Sequence, residues 1–437
     1  MNPLAEPRTI CRVCRHTELI PILNLGTQFI SNFVDSPQED QPKAPLEVVL
    51  CDPASGGCSL LQLRHTTPAD LLYRHYWYRS VVNRTMQVAL RDIAESAESL
   101  VALDPGDVVL DIGCNDGTLL RTFSNPDIKR VGFEPARNLI EDAEVETTRI
   151  FNAFFNAADF VEEFGGGGAK VITSIAMFYD LDEPNEFVGD IKACLDRDGV
   201  WIIQMAYLPT MLEHNMFDNI CHEHLEYYSL GSLEHLLQRH DLEVFDVLLN
   251  DVNGGSYRVY ARHSTSRREG NGFARARVNA LRAMEHNLHL EEETVYKDFA
   301  SRVLEICSDL RNFIEWEREQ GKKVYAYGAS TKGNTMLQLA GLDHTLIDAA
   351  AERNPDKWGR VTVGTAIPII SEEQARADRP DYFLVLPWHF LREFRDRESE
   401  FLERGGQFLV PLPEPRLIGA YGSRPLPKVT SDLSHAT

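Results

Sequence analysis

The sequence predicts an α/β protein in three parts: a small cysteine-bearing unit followed by two units that each contain a largely parallel sheet. Four of the eight cysteines lie within the first 58 residues. From Asp107 onward, strand-like apolar runs alternate with helical stretches, a pattern typical of a parallel sheet covered by helices. A second run of this kind begins at Lys323. The predicted domains are 1–65, 66–265 and 266–424, with a flexible tail over 425–437.

The first α/β unit follows a helical stretch over 68–103. Its predicted strands are 107–112, 131–134, 170–176 and 200–206, and its helices include 118–123 and 185–194. Two further strand-like runs, 242–249 and 256–262, are joined by a turn short enough for an antiparallel hairpin. A parallel sheet that ends in such a hairpin is typical of the class I methyltransferase fold, which is Rossmann-like, whereas dinucleotide-binding domains usually stay parallel.

Residues 265–320 are charged and helical by period, which predicts a connector. A second Rossmann-like α/β unit then follows. Its expected strands lie at 324–327, near 346–350, at 382–386 and at 407–410, and its first helix is expected from Asn334.

Composition narrows the function. The chain has 437 residues, of which 43% are hydrophobic, so it can bury ordinary globular cores. No apolar run approaches the ~20 residues of a membrane span, and a cytoplasmic location is expected. The formal net charge of −22 argues against nucleic acid or an anionic membrane as a partner, because both attract positive surfaces. A small anionic substrate stays possible where a few basic groups converge.

The clustered cysteines predict a structural zinc site. Cys11 and Cys14 are separated by two residues and Cys51 and Cys58 by six, and four thiolates are the number that a closed tetrahedral site uses. The second spacing is wider than usual, so one ligand could differ. The alternative, four unconnected buried cysteines, leaves their clustering unexplained.

The loop after the first strand predicts an S-adenosylmethionine site. Asp111 ends the strand, Gly113 and Gly117 allow close approach of a ligand, and Glu134 ends the second strand, where a carboxylate can accept both ribose hydroxyls. The loop lacks the dinucleotide spacing. An ordinary α/β turn beside an unrelated acid is the alternative. Further cofactor contacts are expected from Cys114, Asn115, Pro135 and Ser174.

Two histidines flank a glutamate at 222–224, after the fourth strand, at the edge where open α/β sheets bind ligands. His222, Glu223 and His224 supply candidates for a base near neutral pH and an orienting partner. Such a base could remove a proton next to a ketone. A metal site would need a third ligand, which the sequence does not reveal, and histidines without a chemical role remain an alternative.

The loop 328–335 of the second α/β unit joins a strand to a helix, so its backbone amides and Lys332 could hold a phosphate at the helix N-terminus. It is not a P-loop, because the first glycine and the lysine are too close. A solvated surface lysine is the alternative. The expected substrate contacts are Arg79, Lys332, Asn334, Thr335, Arg353, Arg360 and Trp388, with Lys357 as additional charge.

Together, these motifs resemble the sugar C-methyltransferases of deoxysugar biosynthesis, and the resemblance covers nearly the whole chain. It is carried by the four cysteines, Asp111–Gly117 as Asp-Ile-Gly-Cys-Asn-Asp-Gly, Tyr76-x-Tyr78-x-Ser80, His222-Glu-His224, Gly254-Gly-Ser-Tyr-Arg258, the loop 327–335 and Leu386-Pro-Trp388. The resemblance implies removal of a proton beside the keto group of a nucleotide-linked sugar, followed by attack of the enolate on the cofactor methyl. It implies His224 as the base, Glu223 as its neighbour, and Tyr76 or Tyr78 as a hydroxyl for the enolate oxygen.

The sequence departs from this family at two positions. The tyrosine that usually precedes His-Glu-His is Cys221, and the histidine after the third strand corresponds to Phe178 or Tyr179. Both positions are expected to face the substrate and put the acceptor atom in doubt. The alternative functions are O- or N-methylation of a related small molecule, a nicotinamide-dependent dehydrogenase and a non-catalytic cofactor-binding protein.

Overall fold

The computed structural model describes residues 4–37, 41–268 and 272–429. The last part of the expected tail, 430–437, lies outside the described residues. Within them, two seven-stranded sheets and one four-stranded sheet carry the fold, together with two pairs of short strands. The α/β class expected from the sequence is confirmed.

The central sheet has the class I methyltransferase topology. Its strands, in order across the sheet, are Leu242–Asn250, Ser256–His263, Leu195–Ala206, Ala169–Ile175, Val108–Ile112, Lys129–Phe133 and Arg149–Phe151. The five strands from 108 to 206 are parallel, and Ser256–His263 is antiparallel to both of its neighbours. The terminal hairpin predicted from the sequence is therefore confirmed.

The helices of this domain flank the sheet. They are Arg84–Leu100, Thr118–Thr122, Ile140–Ala143, Ala157–Phe164, Pro184–Cys194, Leu208–Glu213 and Leu230–Gln238, preceded by the short helix Ala69–Tyr73. The expected continuous helical stretch over 68–103 is wrong. The chain leaves the helix after Tyr73, and Asn83 then caps the helix Arg84–Leu100 through its side chain. Residues 74–79, which include the tyrosine motif, are thereby free to form a loop.

The amino-terminal unit forms an antiparallel sheet of Leu19–Phe29, Lys43–Cys51, Leu61–Leu63 and Glu226–Tyr227. The fourth strand comes from the methyltransferase domain, just after the His-Glu-His motif. Leu46, Val48 and Leu63 are buried in a cluster that also contains residues of the helix Glu293–Glu319 and of the carboxyl-terminal sheet. The unit therefore shares its apolar core with its neighbours.

The carboxyl-terminal domain is a second, largely parallel sheet. Its strands, in order, are Ile369–Ser371, Ala350–Glu352, Val324–Tyr327, Tyr382–Val385, Gln407–Val410, Arg416–Gly419 and Gly422–Pro425, and its helices are Thr331–Leu339, Glu372–Asp378, Leu391–Arg397 and Ser399–Glu403. The first helix begins before Asn334, because Ser330 caps it by accepting a hydrogen bond from Gly333 N.

The expected strand near 346–350 lies instead at Ala350–Glu352, and Gly422–Pro425 adds an edge strand at the start of the expected tail. The connector consists of two helices, Gly272–Asn287 and Glu293–Glu319. The short pair Glu6–Pro7 with His65–Thr66 joins the two ends of the amino-terminal unit, and the pair Phe33–Val34 with Val361–Thr362 ties this unit to the carboxyl-terminal domain. No helix in the described part of the chain has the length and apolar character needed to cross a membrane.

Candidate active site

The four amino-terminal cysteines converge. The Cys11 and Cys58 sulfurs are 3.6 Å apart, those of Cys14 and Cys51 are 3.4 Å apart, and all four lie within 4.8 Å of one another. A tetrahedron with zinc–sulfur bonds of ~2.3 Å has sulfur–sulfur edges of roughly 3.8 Å, so this set fits one zinc ion.

The wide spacing of the second cysteine pair is explained by a turn. A 3₁₀ turn at Pro53–Ser55 returns the chain to the cluster, and a Cβ atom added at Gly57 would lie 2.5 Å from Cys51 Sγ. Only glycine at this position lets the loop pass beside the thiolate.

Arg12, between the first two cysteines, connects the cluster to the methyltransferase domain. Its side chain is fully buried and donates to Leu63 O, Thr66 Oγ1 and Asp182 Oδ1 at 2.5, 2.8 and 3.2 Å. Because Asp182 lies in the loop that follows the strand Ala169–Ile175 of the central sheet, Arg12 ties that loop to the cysteine cluster.

The loop after the first strand has the conformation that a cofactor cradle requires. Gly113, Asn115 and Gly117 have positive φ angles of 69°, 53° and 75°. A Cβ atom at Gly117 would approach Ala143 O to 2.9 Å, so a side chain cannot be accommodated there. Cys114 points into the apolar core, so it can offer only backbone groups to a ligand.

The two acids of the predicted cofactor site lie at the tips of neighbouring strands. Glu134 accepts hydrogen bonds from the amides of Asn115 and Ala136, each at 2.8 Å, and Asp111 accepts one from Thr173 Oγ1 at 2.6 Å. Burial raises the pKa of both carboxyls to about 7. Carboxylate lone pairs remain for the ribose hydroxyls of an adenosine cofactor, so these residues fit S-adenosylmethionine. Ser174 is fully buried and accepts a hydrogen bond from Trp201 Nε1.

The tyrosine motif is held against this loop. Asn115 donates to Tyr78 O and accepts from Ser80 N, both at 3.0 Å. The Asn138 side chain makes two hydrogen bonds to the backbone of Tyr76: it donates to the carbonyl at 2.9 Å and accepts from the amide at 3.0 Å. The motif is therefore placed beside the cofactor loop by two asparagine side chains, and Asn138 was not anticipated from the sequence.

His224 is presented as a neutral base. Its Nδ1 lies 2.8 Å from Asn219 O, and because a carbonyl can only accept, Nδ1 carries the proton. Burial and the charge of Lys332 lower the pKa of His224 to about 3, so the ring is neutral at physiological pH and Nε2 has a free lone pair. The ring packs edge-on against Tyr179 at 4.4 Å.

Glu223 and Cys221 lie beside His224. A carboxylate oxygen, the sulfur and a ring nitrogen of the three lie within 4.8 Å of one another. Burial raises the pKa of Glu223 to about 7, and the nearby ammonium of Lys332 opposes this shift. The structure therefore brings together three side chains that could ligate a metal, one more than the sequence indicated. Lys332 places a positive charge beside them, however, and this charge disfavours a bound cation.

Lys332 lies at the boundary between the two sheet domains. Its Nζ donates to Asn219 Oδ1 at 2.6 Å, so a residue of the carboxyl-terminal loop enters the neighbourhood of the predicted base. Trp388 also meets the methyltransferase domain, donating to Asp218 Oδ2 at 3.2 Å. Asn334 and Thr335 are buried, at 1% exposure each. Ser330 already caps the helix N-terminus that was expected to bind phosphate.

His222 lies apart from the group formed by Cys221, Glu223 and His224. Its Nε2 donates to Ala44 O at 3.0 Å, so it joins the amino-terminal sheet to the methyltransferase domain. Of the two residues expected at the substrate-facing position after the strand, Phe178 is fully buried among Phe187, Trp201 and Tyr228. Tyr179, the other, contacts the His224 ring. Sequence reasoning missed Asp180, the residue after Tyr179, and Tyr73.

A cleft of about 650 Å³ opens between the three parts of the protein. Glu223 forms part of its wall, together with Ile30, Ser31, Asn32 and Phe33 from the amino-terminal unit, His75, Tyr76, Trp77, Tyr78 and Arg79 from the tyrosine loop, and Gly328, Ala329, Glu352, Arg353 and Lys357 from the carboxyl-terminal domain. A cleft of this size accommodates a small molecule.

The basic groups at this cleft are paired with acids. Arg79 bonds Asp142, Arg353 lies 3.1 Å from Glu393, and Lys357 lies 3.5 Å from Glu352. Arg360 pairs with Asp35 at 2.9 Å and stacks over the Trp77 ring. The Arg79 and Arg353 side chains are about one-third and one-half exposed, and exposed pairs of this kind contribute at most ~1 kcal/mol. An anionic ligand could therefore replace their partners at little cost.

The fold, the glycine-rich cradle and the strand-tip acids define a class I methyltransferase. Comparison with known proteins agrees: a C-methyltransferase C-terminal domain matches residues 251–413, a methyltransferase domain matches 78–247 and a zinc binding domain matches 11–73. C-methyltransferase NovU of Streptomyces niveus is 34% identical over 425 residues, covering 96% of this chain and 99% of that one.

The chain belongs to this C-methyltransferase family. It is an S-adenosylmethionine-dependent methyltransferase with a zinc-binding amino-terminal domain. Among solved structures, magnesium protoporphyrin IX methyltransferase from Synechocystis aligns with 40% of this chain and 79% of its own at 13% identity and a TM-score of 0.31. Mitomycin 7-O-methyltransferase aligns with 40% of this chain and 54% of its own at 16% identity and a TM-score of 0.32.

Proposed function

We propose that the protein transfers a methyl group to a carbon atom beside the keto group of a nucleotide-linked sugar. The observation that carries this proposal is the state of His224. Its Nδ1 proton is committed to Asn219 O, so Nε2 carries the lone pair that a base needs. Such a base can take a proton from carbon if the resulting negative charge is stabilised nearby.

His224, Glu223 and Tyr76 are proposed to have separate roles in the reaction. Nε2 of His224 accepts the proton, and the Glu223 carboxyl, within 4.8 Å of the ring, stabilises the imidazolium when ionised. Tyr76 lines the cleft, and burial and the neighbouring Glu223 raise its pKa well above the usual value, so its hydroxyl keeps its proton and can donate to the enolate oxygen. Asp111, Glu134 and the loop between Gly113 and Gly117 would hold S-adenosylmethionine, which would supply an electrophilic methyl group.

The nucleotide part of the substrate is proposed to lie in the cleft towards the carboxyl-terminal domain. Arg79 and Arg353 would exchange Asp142 and Glu393 for the diphosphate, and Trp77 presents a ring beside Arg360. This differs from the sequence-based expectation, in which Lys332 and the following helix held the phosphate. Lys332 is proposed instead to set the electrostatics of the base, since it acts on the pKa of both His224 and Glu223.

The proposal is tested by mass spectrometry after incubation with S-adenosylmethionine and a panel of nucleotide-linked ketosugars in deuterated water. A product with its new methyl group on carbon, together with deuterium exchange beside the ketone, is expected. A product methylated on oxygen or nitrogen would instead support the alternative acceptor, and no methylation of any ketosugar would overturn the proposal.

A further inference from the structure

Asp180 lies beyond the end of a central strand, next to Tyr73 and the Glu223 carboxyl. It lies in a 3₁₀ turn, Phe178–Asp180, that follows the strand Ala169–Ile175. The turn is joined to the base segment, because Leu225 N donates to Tyr179 O at 2.8 Å and the Tyr179 ring contacts His224. The carboxyl of Asp180 is therefore held next to the segment that carries Glu223 and His224.

One oxygen of this carboxyl has an unused hydrogen-bonding position. Within the described parts of the chain, Asp180 Oδ1 is buried and no group hydrogen-bonds to it. Leaving such an atom unpaired typically costs ~1–3 kcal/mol, so an unpaired buried oxygen next to an active site suggests that a ligand completes it. Tyr73, a close neighbour, directs its hydroxyl proton to Glu223 O at 3.0 Å.

The electrostatic surroundings favour the protonated, neutral form of the Asp180 carboxyl. Burial, followed by the negative charges of Glu223 and Glu226, raises the pKa of Asp180 well above its ordinary value, whereas the neighbouring Tyr73 hydroxyl and the charge of Lys332 oppose this. The groups that act on Asp180 or respond to it come from several elements: Tyr73, Tyr76, Tyr179, Cys221, Glu223, Glu226, Tyr227 and Lys332. Two adjacent carboxyls cannot both ionise without strong repulsion.

We propose that Asp180 is a further catalytic residue, which keeps its proton and donates a hydrogen bond to the keto oxygen of the substrate while the enolate forms. This inference rests on the proposed function. In the reaction, the carbon–hydrogen bond beside the ketone breaks and its proton moves to His224 Nε2. The electron pair forms the enolate, whose negative charge develops on the oxygen that Asp180 faces.

The carbon of that enolate then forms its bond to the methyl group, and the carbon–sulfur bond breaks with its electron pair on sulfur. Asp180 therefore contributes a hydrogen bond and no proton, so the step balances without another reactant. A neutral carboxylic acid in an apolar site is an established device for stabilising an enolate oxygen.

The test compares Asp180→Asn with Asp180→Ala in the full-length, zinc-loaded protein. An asparagine amide has nearly the same shape and donates a hydrogen bond at every pH. We expect Asp180→Ala to lower kcat by roughly 10²–10³-fold, the usual effect of losing one such donor, with S-adenosylmethionine affinity unchanged. Asp180→Asn should keep most of the activity and extend it to higher pH, because the amide cannot ionise.

Infrared spectroscopy supplies a readout without turnover. The wild-type protein should show the carbonyl band of a protonated carboxylic acid, and Asp180→Asn should lack it. Equal losses in the asparagine and alanine variants, wild-type kcat in the alanine variant, or an unchanged band would each overturn the inference. If the wild-type protein methylates no ketosugar, the proposed function fails first, and this inference fails with it.

Discussion

Replacing His224 by asparagine isolates the atom that the proposed reaction needs. The asparagine amide can reproduce the Nδ1 donor, which lies 2.8 Å from Asn219 O, but it offers nothing at the position of Nε2. The local fold should therefore persist while the base disappears. General bases typically contribute 10²–10⁴-fold, so the loss in kcat should correspond to about 3–5 kcal/mol of transition-state stabilisation.

The matched control is His222→Gln, two residues away. Glutamine imitates the Nε2 donor, so the hydrogen bond to Ala44 O can be kept. This variant should turn over at close to the wild-type rate, because His222 faces the amino-terminal sheet.

The assay follows solvent deuterium entering the carbon beside the ketone in the presence of S-adenosylhomocysteine, alongside methyl transfer and calorimetric cofactor binding. His224→Asn should lose both exchange and methylation yet bind cofactor normally. Exchange at the wild-type rate in His224→Asn would refute the assignment of His224 as the base, whereas loss of exchange in both variants would show that the segment as a whole is needed.

Three further outcomes are expected. Glu134→Gln should weaken S-adenosylmethionine binding by roughly tenfold or more above neutral pH, the usual effect of losing hydrogen bonds to a charged acceptor. Because the Glu134 pKa is raised to about 7, wild-type affinity should fall as pH drops through that value, and calorimetry showing equal pH dependence in the variant would contradict this. Gly57→Ala should lower the zinc content seen by metal analysis, because its Cβ would lie 2.5 Å from Cys51 Sγ. The control Ser55→Ala should keep its zinc, and a full zinc content in Gly57→Ala would be inconsistent with the cysteine cluster as the zinc site. Lys332→Met should raise the Glu223 pKa further above 7, so the loss of kcat at acidic pH should begin at a higher pH, whereas Lys332→Arg should keep the wild-type dependence of kcat on pH. The same dependence of kcat on pH in both variants would show that Lys332 does not affect the electrostatics of the site.

Several features could be predicted from sequence because local chemistry determines them. The apolar strands of the central sheet, the hairpin that closes it and the paired cysteines all have signals that depend on near neighbours. The grouping of Tyr76, Glu223 and His224 followed from the family resemblance.

Other features depend on contacts distant in sequence. His222 and His224 cannot be distinguished in the sequence. Only the packing of residues 226–227 against the amino-terminal sheet shows that His222 is structural and that His224 is the candidate base. Lys332 appeared suited to phosphate, yet the docking of the two sheet domains brings it to Asn219. Asp180 was overlooked because an acid in a turn is ordinary, and its significance comes from burial of one oxygen beside Glu223.

The strand Glu226–Tyr227, which completes the amino-terminal sheet, bears on the order in which the chain acquires its structure. On a ribosome, the segment containing the cysteines leaves the exit tunnel long before its fourth strand is made. Its apolar face must also wait for the helix Glu293–Glu319. Early zinc binding would therefore stabilise a sheet that is still incomplete. Removing the methyltransferase domain should leave an insoluble amino-terminal fragment rather than an independently folded domain.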